Sequence, residues 1–111
     1  MNIKEIIKQP EGRRLEFKET LPENADLANT IIAFANDAGG ELYIGIQNNP
    51  REIVGLPEEE LVKMEEQISN IIFDRCYPAI IPDITFLTEE DKLIIRVTVY
   101  RGSSFPYYRK D

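Results

Sequence analysis

At 111 residues, with one cysteine, no histidine and a formal charge of −7, the chain fits one domain with a core of its own and excludes a disulfide framework, the usual zinc sites and a histidine base. The acidic balance opposes a general attraction to polyanions. No apolar run reaches membrane-spanning length and the N-terminus has no signal-peptide core, so a soluble cytoplasmic protein is expected. Any catalysis would have to come from carboxylates, lysines, hydroxyls or a bound hard cation. Cys76 has no histidine to activate it and reads as a small buried apolar residue.

Asn2 to Gln9 carries Ile3, Ile6 and Ile7 on one helical face and stops at Pro10 and Gly12. Arg13 to Lys18 then alternates with period two, placing Leu15 and Phe17 on a core face and Arg14, Glu16 and Lys18 on a charged one. The next helix has two candidate caps, Thr20 with Glu23 or else Asn24, and its apolar positions Ala28, Ile31, Ile32, Ala35 and Ala38 share one face. Asn36, Gly39 and Gly40 form the turn that ends it, and Glu41 to Ile46 reads as the central strand, with Gly45 allowing close approach. A phosphate loop needs strand, glycines, helix. Here the glycines follow a helix C-terminus, where the dipole repels anions, so they read as a cap.

Gln47 to Arg51 is a turn with Glu52 to Gly55 returning as a short strand, and a helix follows from Pro57 to Arg75 with acids in its first turn. Tyr77 to Pro82 is an extended connector. Ile84 to Val99 folds about Glu89-Glu90-Asp91-Lys92 as a second hairpin, with Thr85, Arg96 and Thr98 outward. The basic, aromatic stretch Arg101 to Lys110 suits either stacking with phosphate contact or covering a core edge. The order predicts an α+β domain with a mixed, largely antiparallel sheet and about three helices.

The charge is unevenly spread. Residues 1–18 hold five bases against three acids and residues 96–111 four against one, whereas the middle holds four against sixteen. A fold that brings the two ends together would make one cationic patch from Arg13, Arg14, Lys18, Arg96, Arg101, Arg109 and Lys110; otherwise these are separate solvated segments. Glu16 and Lys18 alone suit an exposed ion pair or a phosphate contact beside a carboxylate.

Glu11 with Leu15-Glu16-Phe17-Lys18, then Ala33-Phe34-Ala35-Asn36 with Gly39-Gly40 and Ile44-Gly45-Ile46, then Ile53-Val54-Gly55 and Phe105-Pro106-Tyr107-Tyr108 together resemble the Schlafen-type AlbA-like domain family. The resemblance implies residues 1–111 as a single such domain, the N-terminal part of a longer bacterial transcriptional regulator, with DNA or RNA as partner and further domains downstream. It also implies a second reading, a ribonuclease dependent on magnesium or manganese, using three acids. Two of those positions match Glu11 and Glu16, and the third is Asn48, an amide in place of a charged ligand, which weighs against cleavage. The binding reading requires no cofactor. A third reading is a non-catalytic module whose acidic body and C-terminal edge dock another domain or a second copy as a homodimer.

Overall fold

The computed structural model describes residues 2–110. Four strands make the main sheet in the order β1-β2-β7-β6: β1 Leu15–Lys18, β2 Gly40–Ile44, β6 Asp83–Glu89 and β7 Lys92–Val99. β1 and β2 run parallel, so the chain between them crosses over as α2, Asn24–Asn36, while β2–β7 and β7–β6 are antiparallel. This is the expected α+β domain with a mixed, largely antiparallel sheet. Among the described residues, α1 is Ile3–Ile6 and α3 is Leu61–Arg75, the latter entered through a 3₁₀ turn at Glu58–Glu60. No helix among them is long and apolar enough to cross a membrane.

Period-two alternation divides the sheet into two faces. Leu42 and Ile44 of β2 with Ile95, Val97 and Val99 of β7 join Leu27, Ile31 and Phe34 of α2 and Ile68 and Ile72 of α3 in the larger core, which also buries Cys76. On the other face Phe17, Tyr43 and Ile94 pack with Ile3 and Ile6 of α1 and with Ile46 and Ile53. The last two belong to the small ribbon β3, Ile46–Gln47, and β4, Glu52–Ile53. α1 therefore covers only part of its face. Arg51 secures that cover: its guanidinium donates to the carbonyls of Ile7 and Gln9 and to Asn48 Oδ1, and lies 4.0 Å from the centre of the Phe17 ring.

One local reading is corrected. Glu23 occupies the N-cap of α2 and no side chain caps it, so neither Thr20 nor Asn24 does that job. Instead, Asn24 is the helix's first residue, and Asp26 in the first turn favourably meets the dipole. The C-terminal segment is paired on one side, where β8, Tyr108–Arg109, forms a two-stranded ribbon with β5, Cys76–Tyr77. Asn36 pins this segment, its amide donating to the Tyr107 carbonyl at 2.9 Å and its Oδ1 accepting the Tyr107 N–H at 2.8 Å. The side chain thus pairs like a strand. Asn36→Ala removes both bonds, and we expect a loss of about 1–2 kcal/mol by chemical denaturation, since the Tyr107 backbone groups lose their partners.

The Gly39-Gly40 turn does as expected, with a division of labour. Gly39 sits at φ +84°, its N–H donating to the Phe34 carbonyl at 2.9 Å, whereas Gly40 leaves space for the Phe34 ring, which an added Cβ would strike. Gly45, also at positive φ, takes the chain from β2 into β3.

Candidate functional site

Where α1 stops short, the sheet face is left as an open groove of about 670 Å³. Its floor comes from β2 and β7: Glu41, Tyr43, Arg96 and Thr98 point the same way because Tyr43 pairs with Arg96 and Glu41 with Thr98 in the antiparallel register. Arg14 closes it on one side, Tyr100 and Arg101 on another, with Ala38 and Gly40 where the chain passes from α2 into β2. Three of the seven cations singled out from the sequence therefore converge, and they do so beside the Gly39-Gly40 turn.

The remaining four lie elsewhere. Arg13 is held by Asp37 through two contacts, Nε to Oδ2 at 2.7 Å and a second hydrogen bond at 3.0 Å. Lys18 faces the helix side of the sheet, 3.4 Å from Glu16, in an exposed pair worth ~0–1 kcal/mol. Arg14 and Lys18 part company because Arg14 precedes β1, where strand alternation no longer applies. Arg109 lies in the β5–β8 ribbon, and the Lys110 ammonium donates to the Phe73 carbonyl near the end of α3.

Within the groove the charges are ordered. The Tyr43 hydroxyl donates to Glu41 Oε1 at 2.9 Å, and Arg96 flanks the phenol. Arg96 Nε is buried without a hydrogen-bond partner, the one such side-chain nitrogen or oxygen among the described residues. Tyr100 stands at the rim with its hydroxyl donated to Asp83 at 2.9 Å, and Arg101 lies 5.1 Å from the centre of the Phe105 ring. Tyr43 and Tyr100 escaped the sequence reading, although the alternation of Glu41 and Tyr43 with Leu42 and Ile44 was the available signal for Tyr43.

Burial, then the hydrogen bond to Glu41 and its charge, push the Tyr43 phenol up to about 12, against a weaker downward pull from Arg96. The Asp83 carboxylate likewise holds the Tyr100 phenol above its ordinary value. Because the folded Tyr43 binds its proton more tightly than the unfolded chain does, its contribution is whole below about pH 10 and is lost as pH rises toward 12. We expect the Tyr43 share of stability, ~2–3 kcal/mol, to be lost across that window and the drop to shrink by about that amount in Tyr43→Phe, as read by urea unfolding at stepped pH.

Glu11, Glu16 and Asn48 have other occupations. Glu11 accepts the Phe17 N–H at 2.8 Å, and Asn48 donates to the Phe17 carbonyl at 3.1 Å, so together they satisfy the outer edge of β1. Glu16 Oε2 accepts from Thr30 at 3.2 Å and meets Lys18, while Asn48 Oδ1 is taken by Arg51. No cluster of three His, Cys, Asp or Glu side chains able to hold a metal occurs among the described residues. A neutral amide already bound to Arg51 and a carboxylate paired with Lys18 make a poor donor set for a divalent ion, and the residues do not fit one.

Comparison with known proteins agrees with this architecture. The N-terminal domain of a RecG-related protein from Nitrosomonas europaea superposes with a TM-score of 0.78 at 23% identity, over 97% of this chain and 77% of that one. A protein from Corynebacterium diphtheriae superposes with a TM-score of 0.59 at 16% identity, over 95% of this chain and 25% of the other. An uncharacterized ATP-binding protein of Ureaplasma parvum is 30% identical over 63 residues, 55% of this chain, and the match spans 18% of that relative's length. The first two share the fold. Residues 11–111 match the Schlafen, AlbA_2 family, and with nearly its whole length so covered the chain belongs to that family.

Proposed function

We propose that this domain binds the phosphate backbone of a nucleic acid, in the setting of a transcriptional regulator, through the groove between β2, β7 and the Arg14 loop. One observation carries the reading: in a chain of net charge −7, Arg14, Arg96 and Arg101 converge on one cleft. Against them the groove sets one acid, Glu41, already engaged by the Tyr43 hydroxyl. Family membership and the fold shared with a domain from a RecG-related protein support the same direction. The match to a small part of the ATP-binding relative supports a module that works beside other domains.

Binding of this kind is driven by release of counterions, so it falls steeply with salt and discriminates little between base sequences. The test is fluorescence anisotropy of labelled DNA and RNA with the 111-residue chain across a salt series. Three phosphate contacts give a log–log slope near −3, or about a forty-fold loss between roughly 50 and 200 mM salt. Affinity that is flat in salt rejects the reading. The ribonuclease reading receives no comparable support, because Glu11, Glu16 and Asn48 are committed to β1, Thr30, Lys18 and Arg51.

A further inference from the structure

Away from the groove, the end of α3 and the β5–β8 ribbon present aromatic rings to solvent. Tyr77 and Tyr108 are cross-strand partners, their ring centres 5.6 Å apart and each 51% exposed, on the face opposite buried Cys76. Phe73, in the last turn of α3, is 75% exposed, and the Lys110 ammonium lies 5.5 Å from its ring centre. Arg75 and Arg109 adjoin these rings along the chain, with Asp74 and Asp111 as the acids of the same two stretches. Fixed rings with a surplus of cations are unusual on an acidic protein. Water alone leaves such apolar area uncovered at a cost, and a protein partner suited to this chain's basic end would itself have to be acidic.

We propose that Phe73, Tyr77 and Tyr108 form a stacking platform for the bases of a single-stranded nucleic acid, with Lys110 beside Phe73 supplying a cation for its phosphates. A base has a π-face whatever its identity, so the platform tolerates any sequence, whereas in a duplex those faces are hidden within the stack. The cross-strand tyrosines are held by the β5–β8 pairing and by Asn36 gripping Tyr107 next door, so little side-chain freedom is lost when a base lands on them. The platform extends the groove reading by naming the strand state of the ligand, and the two can fail separately.

The experiment measures anisotropy of a fluorescein-labelled oligothymidylate and of a labelled duplex with the full chain and with Phe73→Leu and Tyr108→Leu. Leucine keeps apolar bulk but removes the π-face, and Phe73 is exposed enough for its replacement to leave the fold intact. Each change is expected to weaken single-strand binding roughly 5- to 100-fold while leaving duplex binding and the unfolding midpoint unchanged. Quenching of tyrosine emission by the oligothymidylate, reduced in Tyr108→Leu, is the second readout. Unchanged single-strand affinity in both variants, or an equal loss on the duplex, overturns the proposal. If glutamine at Arg14, Arg96 and Arg101 leaves single-strand binding intact while the leucine variants abolish it, the platform stands and the groove reading falls.

Discussion

Replacing Arg14, Arg96 and Arg101 together by glutamine is expected to abolish the salt dependence of duplex binding and to weaken that binding about 100-fold at low salt. Each phosphate contact accounts for nearly one unit of the log–log slope, so single replacements should each flatten it by about one. Arg96→Gln should be the most damaging, because its guanidinium is half-buried on the groove floor, where a charge contact is least screened by water. Arg101→Gln, at an exposed position, checks that the loss is not merely one of folding. Arg13→Gln and Lys18→Gln provide the contrast: their charges already face Asp37 and Glu16, and each should change affinity less than about two-fold. A uniform loss across all these cations would mean that net charge, and not the groove, governs binding. Anisotropy against salt for the set of variants decides between them.

Gly39→Ala is expected to destabilise the domain by about 3 kcal/mol, lowering the unfolding midpoint by roughly 12–20 °C. Two costs combine. The backbone at φ +84° lies where an L side chain is strained by ~1–2 kcal/mol. The new Cβ would also stand 2.7 Å from the Val99 carbonyl oxygen and 3.1 Å from the Arg101 N–H nitrogen, backbone atoms at the end of β7 that cannot swing aside like a side-chain tip. Since Val99, Tyr100 and Arg101 all line the groove, the same change should weaken binding in the fraction that still folds. Gly12→Ala is the matched control, with no positive φ and open space around its Cβ, and should be neutral or slightly stabilising. Calorimetry on the two variants reads the difference directly.

Local chemistry was legible wherever neighbours in the chain decide it. The period-two run at Leu15 to Lys18, the paired glycines after Asn36 and the turn at Glu90-Asp91, where both residues take positive φ, announce a strand, a helix stop and a hairpin from their own sterics. The caps of α2 were misread because Thr20 and Asn24 both have the side chain for the job, and only the path of the incoming chain places Glu23 there. The single patch of seven cations was too coarse for the same reason: sequence shows that the two ends are basic but not which face each side chain takes.

Composition and spacing alone pointed to the α+β class and the mixed sheet, since these follow from periodicity and turn sterics, and a chain without histidine offers no histidine base. Pairing across β2 and β7, the short reach of α1 and the use of Glu11 and Asn48 as edge partners of Phe17 were decided by long-range contacts. Those contacts select three arginines for the groove and send Lys18 to the opposite face, because a residue's side of a sheet depends on the register of strands far apart in the chain.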